Sequence, residues 1–390
     1  MITLAELALP ELRRRYHEEL FQVCLPFWEA HGIDHDHGGF MCALDYDGTR
    51  RGTEKHPWFQ GRGLWVYSFL FNHFGGDARH LEVARKTKEF LLREGLVVPP
   101  PGGDIYGLYF AAEGLQEYAW AARDQQAREL ASGLMRRLWG HIHQPEDWPV
   151  RPQGLWMVTL RIATQMLRRW REAWLAEVAD RSVDAIIHRH YNPETGLNTE
   201  VLNFDFTRPA EEATKCNLGH SIETLWMVMD EADRRGDSAL WDLCAERIRR
   251  HLEVGWDPVY GGLCEWINVG HSAYEWPVER PVGTDLEFRF TGEYHHMKAL
   301  WALHEALIAT LMVFERTRAE WAGRYFGMAQ QVIDEKFSQR RRGLPGYMLF
   351  GGRQMTPQEH VARQDNYHPP RQLMLCLLLL DRMTERSGAA

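Results

Sequence analysis

Two histidines are the residues of this sequence best suited to moving protons. His220 lies in NLGHSIETLW, where Glu223 follows one helical turn later and could fix the tautomer of the imidazole and tune its pKa. His368 lies in DNYHPPR, where two prolines predict the first turn of a helix. The positive end of that helix dipole disfavours an imidazolium, so His368 should stay neutral, as a general base must. Either histidine could instead be a satisfied core residue or a helix cap.

Aromatic side chains accompany two further charged residues. Trp58, Arg62 and Trp65 share one face of a predicted helix. Arg62 keeps its charge and forks its hydrogen bonds, which suits the stabilisation of an oxyanion beside a stacking surface. The alternative is an arginine whose stem packs while its head pairs with a carboxylate. Trp301 and Glu305, four residues apart, could stack on a sugar ring and bind its hydroxyls, or could belong to an ordinary helix surface.

Metal and cofactor signals are weak. Several histidines and aspartates lie close together between residues 31 and 37, next to a Gly-Gly turn. Their spacing matches no known zinc-binding pattern. The sequence has no GxGxxG, Walker, HExxH or GxSxG motif, and its six cysteines form no CxxC pair. We therefore expect no metal, no cofactor and a cytoplasmic location with reduced thiols. The crowded residues are His31, Asp34, His35, Asp36 and His37.

Composition excludes some partners. The 390 residues include 45 Lys and Arg against 54 Asp and Glu, a net charge of −9 that argues against binding nucleic acid or anionic membranes. The longest apolar run, Leu373–Leu380, is too short to span a bilayer, and the N-terminal segment turns charged before a signal-peptide core could form. The 16 Trp, 17 Phe and 13 Tyr indicate either a large core or a carbohydrate-lined cleft.

The elements that must position these residues are helices. No linker divides the chain, so we predict one domain over residues 1–390. Gly-containing turns recur between helices at 36–40, 192–197, 257–263 and 342–347, which indicates helical pairs with their loops on one face. A dozen helices in pairs can close into an (α/α)6 toroid with a funnel at one end; an open solenoid would need a clearer repeat. Apolar periodicity predicts helices at 11–29, 58–73, 78–94, 107–122, 126–140, 155–170, 172–190, 218–235, 238–252, 295–316, 319–337 and 370–384.

Five motifs, in order, resemble the N-acylglucosamine 2-epimerase family. They are KHPWFQGRGLW, YGLYFAAEGLQEYA, NLGHSIETLW, KALWALHEALIA and DNYHPPR, and the resemblance spans residues 38 to about 375. The family also includes cellobiose 2-epimerases, mannose isomerases and sulfoquinovose isomerase. The resemblance implies the single-domain, all-α (α/α)6 barrel that the helix count already suggests.

The resemblance also implies roles for individual residues. Arg62 matches the arginine that holds the sugar carbonyl oxygen and the enediolate, His220 and His368 match the catalytic histidines, and Glu223 matches the carboxylate that partners the first of them. A third histidine of the isomerase branches is absent from PQGLWMVTLRIATQML, which resembles the acylglucosamine branch. The residues matched to the sugar pocket are Trp58, Tyr106, Glu200, Trp301 and Glu305.

The chemistry expected is proton removal from the carbon next to an aldehyde. His368 and His220 would exchange the C2 proton on opposite faces of an enediolate, while Arg62 stabilises the oxygen at C1. An acetamido group at C2 allows epimerisation only, as between N-acetylglucosamine and N-acetylmannosamine. A free 2-hydroxyl leaves mannose or cellobiose epimerisation and aldose–ketose isomerisation open.

Two other classes of protein remain alternatives at this point. An (α/α)6 glycoside hydrolase would need two carboxylates, for which Glu200, Glu223 and Glu305 are available. A non-catalytic sugar-binding module is the other. The expected partner is a small sugar substrate, and no binding to nucleic acid or membranes is expected. Members of the family are often dimers, so a homodimer is an expectation that the resemblance implies.

Overall fold

Twelve helices of at least ten residues form most of the structure, a computed structural model that describes residues 2–98, 105–145, 149–270, 297–347, 363 and 365–388. The dozen helices predicted from periodicity are therefore confirmed. A single turn, α2 (Leu25–Phe27), continues α1 between two π-helical turns. The long helices are α1 (Leu9–Glu18), α3 (Pro57–His73), α4 (Ala78–Arg93), α5 (Ile105–Ala122), α6 (Gln125–His141), α7 (Gln153–Arg169), α8 (Ala173–Asp184), α9 (Leu218–Arg235), α10 (Ser238–Gly255), α11 (Leu300–Thr317), α12 (Glu320–Val332) and α13 (His368–Gly388).

These helices form two concentric rings. In the inner ring α3, α5, α7, α9, α11 and α13 each pack against the next, and α13 closes the circle on α3. Each inner helix carries an outer partner, which is α4, α6, α8, α10, α12 or, for α13, α1. The predicted (α/α)6 barrel is thus confirmed, and the closed inner ring excludes an open solenoid.

Burial explains which helices lie inside. All residues of α5 from Gly107 to Ala119 are buried, so this helix must be covered on every side. The outer helix α4 buries only the stripe Ala84, Thr87, Phe90 and Leu91. None of the helices in the described ranges is both long and apolar enough to cross a membrane.

The four recurrent Gly turns are small antiparallel hairpins. Each follows an outer helix or its π-helical extension and leads toward the next inner helix. Since every inner helix is entered from an outer one, the inner helices all begin at the same end of the ring. The pairs that close the turns are Ile33 with Phe40, Tyr191–Asn192 with Leu197–Asn198, Trp256 with Leu263, and Gln339 with Leu344.

Three more two-stranded pairs complete the described strands. The pair β1 (Thr3–Leu4) and β2 (Leu7–Ala8) precedes α1. The other two lie at the entrances of α7 and α9, and both help to form the site described below. They are β3 (Val150–Pro152) with β6 (Val201–Asn203), and β7 (Lys215–Asn217) with β8 (Trp266–Asn268).

Candidate active site

The candidate residues gather at the end of the ring where the inner helices begin. They come from the first turns of five inner helices, so residues far apart in sequence share one end of the barrel. The positive ends of these helix dipoles favour negative charge at that end. The residues are Trp58 and Arg62 in α3, Tyr106 in α5, His220 in α9, Trp301 in α11 and His368 in α13.

The two histidines meet at one indole ring. The ring centroid of Trp301 lies 5.3 Å from that of His220 and 5.7 Å from that of His368. Gly219 makes this contact possible, because a β-carbon at that position would lie 2.3 Å from the Trp301 ring. The structure therefore brings together two imidazoles that are 148 residues apart (368 − 220).

His220 is oriented by Glu200 rather than by Glu223. Its Nδ1 lies 2.9 Å from Oε1 of Glu200, which directly precedes β6. Burial lowers the pKa of His220, but the charge and hydrogen bond of Glu200, with the charges of Glu223 and Glu265, outweigh burial and raise it to about 9. The sequence prediction of a direct His220–Glu223 pair is therefore corrected, because Glu223 bonds to an arginine instead.

His368 has a carboxylate partner of its own that sequence reasoning missed. Its Nδ1 lies 2.9 and 3.0 Å from the two carboxylate oxygens of Asp365, which also accepts the backbone N–H of His368 at the start of α13. Burial raises the pKa of Asp365, but His368 and Arg62 outweigh it and hold that pKa well below its ordinary value.

Arg62 lies in an aromatic cage. Its guanidinium carbon is 4.0 Å from the ring centroid of Phe110, 5.1 Å from that of Tyr367 and 5.6 Å from that of Trp58. It forms no hydrogen bond or ion pair with another described residue, and its Nε is buried without a partner. Burial lowers its pKa against the opposing charges of Asp365 and other neighbours. The sequence left open that Arg62 pairs with a carboxylate, but no described carboxylate forms an ion pair with it.

A close helix contact fixes the position of this arginine. A β-carbon at Gly61 would lie 2.3 Å from the carbonyl carbon of Phe110, so α3 and α5 approach backbone to backbone there. That approach places the neighbouring Arg62 over the Phe110 ring. Trp58 and Tyr106 continue the aromatic wall, with ring centroids 5.4 Å apart, and Nε1 of Trp58 is buried without a partner.

Beneath the histidines, Arg371 holds two buried carboxylates. Its Nη2 donates to Oε1 of Glu223 and Oε1 of Glu305, both at 2.6 Å. Glu305 also accepts the indole N–H of Trp226 at 2.8 Å and has no exposed surface. Burial raises the pKa of Glu305, although the Arg371 charge opposes it. The prediction that Glu305 binds sugar hydroxyls is therefore corrected to a buried role, and Arg371 was missed although it closes the DNYHPPR motif.

Three of these side chains could in principle ligate a metal. Ligand atoms of Glu223, Glu305 and His368 lie within 4.8 Å of one another, and two carboxylates with an imidazole suit several divalent ions. However, the guanidinium of Arg371 already occupies the space between the two carboxylates. The donor set is therefore engaged by a resident cation and does not call for a metal.

Several proteins of known function are similar to this chain along most of its length. No family model matches the chain. N-acylglucosamine 2-epimerase of Mus musculus is 25% identical over 414 residues, covering 96% of this chain and 93% of that protein. The Homo sapiens protein of the same name is 24% identical over 409 residues, with 96% and 91% covered. Other matches bear the names mannose-6-phosphate isomerase and cellobiose 2-epimerase.

Solved structures show the same fold. Cellobiose 2-epimerase from Bacillus thermoamylovorans superposes with a TM-score of 0.77 at 16% identity, covering 96% of this chain and all (100%) of that one. A D-mannose isomerase is also among the similar structures. With its relatives, the chain is a carbohydrate isomerase-class enzyme built on an (α/α)6 barrel. The resemblance to the N-acylglucosamine 2-epimerase family, predicted from five motifs, is confirmed.

Proposed function

We propose that this enzyme interconverts the C2 epimers of an N-acylglucosamine-type sugar by two-histidine proton transfer. The observation that carries the proposal is the contact of both imidazoles with Trp301. Arg62 lies in the same site and pairs with no carboxylate of the described residues. The names of the most similar curated relatives supply the substrate class. The aromatic wall of Trp58 and Tyr106 suits the apolar face of a sugar ring.

The proposed reaction moves one proton across an enediolate. His368 removes the C2 proton of the open-chain sugar, and His220 returns a proton to the opposite face of the same carbon; the reverse direction exchanges the roles. The pKa of about 9 for His220 means that this histidine carries a proton at neutral pH, as an acid must. Arg62 and the N-terminal ends of the inner helices stabilise the oxygen anion that forms at C1.

The three glutamates that the sequence offers for glycoside hydrolysis are poorly suited to it. A hydrolase needs an acid and a second carboxylate on opposite sides of the scissile bond, both able to reach substrate. Here Glu223 and Glu305 bind the same guanidinium, and Glu305 is fully buried. Glu200 is committed to His220. The geometry therefore favours proton transfer by the histidines over bond cleavage by the carboxylates.

Deuterium exchange tests the activity directly. The purified protein is incubated in deuterium oxide with N-acetylmannosamine, mannose or cellobiose, and the products are followed by NMR. Deuterium at C2 with inverted configuration is the expected result for N-acetylmannosamine. Deuterium at C1 of a ketose would show that the enzyme catalyses aldose–ketose isomerisation instead of epimerisation. Bond cleavage without exchange at C2 would overturn both.

Single substitutions test the assignment of the two histidines. His220→Ala and His368→Ala should each lower turnover about 10²- to 10⁴-fold with an unchanged circular dichroism spectrum. His188→Ala is the matched control, because His188 is exposed between α8 and the strand β4 (Tyr191–Asn192). Wild-type turnover in both active-site variants would overturn the assignment.

Two further expectations belong to the proposal. All six cysteines are free and buried, which agrees with a reducing cytoplasm. We also propose a homodimer, which light scattering of the purified protein would test. A monomeric mass at every concentration would contradict it.

A further inference from the structure

Gln153 lies between the two segments that carry the His220–Glu200 pair. It is the first residue of α7 and has no exposed surface. Glu200 reaches the site from the loop before β6, whereas His220 lies in the first turn of α9. The two segments are separate elements of the chain, so contacts between them must fix the carboxylate against the imidazole. The buried amide of Gln153 provides such contacts.

Three hydrogen bonds of Gln153 connect these segments. Its backbone N–H donates to the carbonyl oxygen of Glu200 at 2.8 Å. Its side-chain Oε1 accepts from Nδ2 of Asn198, two residues before Glu200, at 2.6 Å. Its Nε2 donates to Oγ of Ser221, the residue after His220, at 3.4 Å. One residue thus contacts both the segment that leads to the carboxylate and the helix that carries the imidazole.

The neighbouring contacts favour this orientation of the amide. Ser221 donates its hydroxyl hydrogen to the carbonyl oxygen of Asn217 at 2.7 Å, so its oxygen remains to accept from Gln153. The side-chain N–H₂ group of Asn198 needs an acceptor, which Gln153 supplies. Gln153, Asn198 and Ser221 are all buried, and a buried polar group that loses its partner is costly.

The position of Glu200 depends on these contacts because only one of its carboxylate oxygens is engaged. Oε1 lies 2.9 Å from Nδ1 of His220. Oε2 is buried and has no hydrogen-bond partner among the described residues. The place of the carboxylate is therefore set by the backbone segment that carries it. With Nδ1 bound to Glu200, Nε2 is the nitrogen of His220 that remains for the sugar.

We propose that Gln153 is a positioning residue that holds Glu200 against His220 and thereby aims Nε2 of this imidazole at C2 of the sugar. The inference rests on the proposed function, in which His220 exchanges the C2 proton. Because Gln153 is fully buried, it acts through the carboxylate and the helix and does not touch the reacting atoms. The titratable groups around His220 are Glu200, Glu223, Glu265 and, across Trp301, His368.

The ring titration of His220 tests this assignment without any sugar. Gln153→Met removes both side-chain hydrogen bonds but keeps the length of the side chain and the backbone bond to Glu200. A retreat of the carboxylate by about 1 Å from 2.9 Å would weaken its attraction for the imidazolium by about a quarter. We therefore expect the pKa of His220 to fall by about half a unit in NMR of ¹⁵N-labelled histidine. His220→Ala identifies the signal, and a titration of Gln153→Met equal to that of wild type would overturn the assignment.

A double variant shows whether Gln153 acts through the carboxylate. Glu200→Gln removes the charge that Gln153 positions, so adding Gln153→Met to it should change the pKa of His220 by less than about 0.2 unit. Additive changes in the pKa would overturn the assignment. In steady-state kinetics, kcat of Gln153→Met should fall about tenfold with KM within about twofold of wild type. An unchanged kcat would also overturn it.

Gln165→Met is the matched control for the loss of a buried amide. Gln165 lies about three turns further along α7, is also buried, and donates from its amide to Oε1 of Glu113 at 3.1 Å. The control should leave the pKa of His220 unchanged. A fall equal to that in Gln153→Met would show general loosening of α7 and would overturn the assignment.

A milder variant covers the case in which Gln153→Met does not fold. Gln153→Asn withdraws the amide by one C–C bond, about 1.5 Å, and the same outcomes of the His220 titration then decide. A wild-type protein without epimerase activity would refute the proposed function. The titration would still show whether Gln153 places Glu200, so the two failures are distinguishable.

Discussion

Replacing Glu200 by glutamine should shift the pH dependence of the reaction to lower pH. Glu200 contributes the strongest of the charges that raise the pKa of His220 from 6.5 to about 9. Glutamine keeps an oxygen that can accept from Nδ1 but removes the negative charge. The remaining carboxylates, Glu223 and Glu265, still oppose the lowering of this pKa by burial.

The expected change in the pKa of His220 follows from the charges around it and its exposure to solvent. The net rise in the pKa of His220, from 6.5 to about 9, corresponds to about 3.4 kcal/mol at 1.36 kcal/mol per pKa unit, after burial has opposed the charges. The side chain of His220 is 34% exposed, so solvent screens part of this interaction. We therefore expect Glu200→Gln to lower the pKa by about one unit.

The assay is the pH profile of kcat/KM for either epimer. The equilibrium constant of epimerisation does not depend on pH, so both directions share one profile, and both require one proton on the histidine pair. A raised pKa keeps that proton on His220 up to about pH 9, and activity is lost as the pH rises through this value. In Glu200→Gln the loss should come about one pH unit earlier.

The control removes the same charge from the same segment without touching His220. Glu194→Gln serves this purpose, because Glu194 is exposed in the turn between β4 (Tyr191–Asn192) and β5 (Leu197–Asn198). NMR titration of ¹⁵N-labelled histidine would follow the His220 ring directly. An alkaline limb and a ring titration that are identical in Glu200→Gln and wild type would refute the reasoning.

Two further substitutions test the cations of the site. Arg371→Met should lower the free energy of unfolding by about 3–5 kcal/mol, since Glu223 and Glu305 would be buried without a counter-charge. The loss, measured by urea unfolding, should shrink at acidic pH, where these carboxyls take up protons. A loss below about 1 kcal/mol at neutral pH would contradict the view that Arg371 neutralises both carboxylates. Arg62→Lys keeps the charge but not the fork, so kcat should fall about 10²- to 10³-fold with little change in the unfolding midpoint. An unchanged kcat in steady-state kinetics would remove the oxyanion role.

The helices could be predicted from the sequence, because apolar spacing reports directly which face of a helix is buried. The hydrogen-bond partner of His220 could not be predicted in this way. Periodicity identifies neighbours on the same helix, and it therefore pointed to Glu223. The observed partner, Glu200, lies 20 residues upstream in a loop that the β3–β6 pair brings to the site. The division of the chain into one domain stays a prediction.

The sequence also carries a signal for two other residues of the site. Asp365 precedes His368 by three residues at a predicted helix start, where an acidic side chain commonly caps the helix. Arg371 lies three residues after His368, so both must lie on one side of α13. Glu305 shows the opposite case, because its spacing from Trp301 is right for a shared face while the three-dimensional packing buries the carboxylate completely.

The closure of the inner ring has a consequence for synthesis. α13 provides His368 and Arg371, and it packs against both α1 and α3, which are made first. A nascent chain on the ribosome therefore lacks one of its two imidazoles, and the arginine that binds Glu223 and Glu305, until α13 docks. Until then the face of α11 that α13 covers stays exposed, and exposed apolar surface makes this late step sensitive to aggregation.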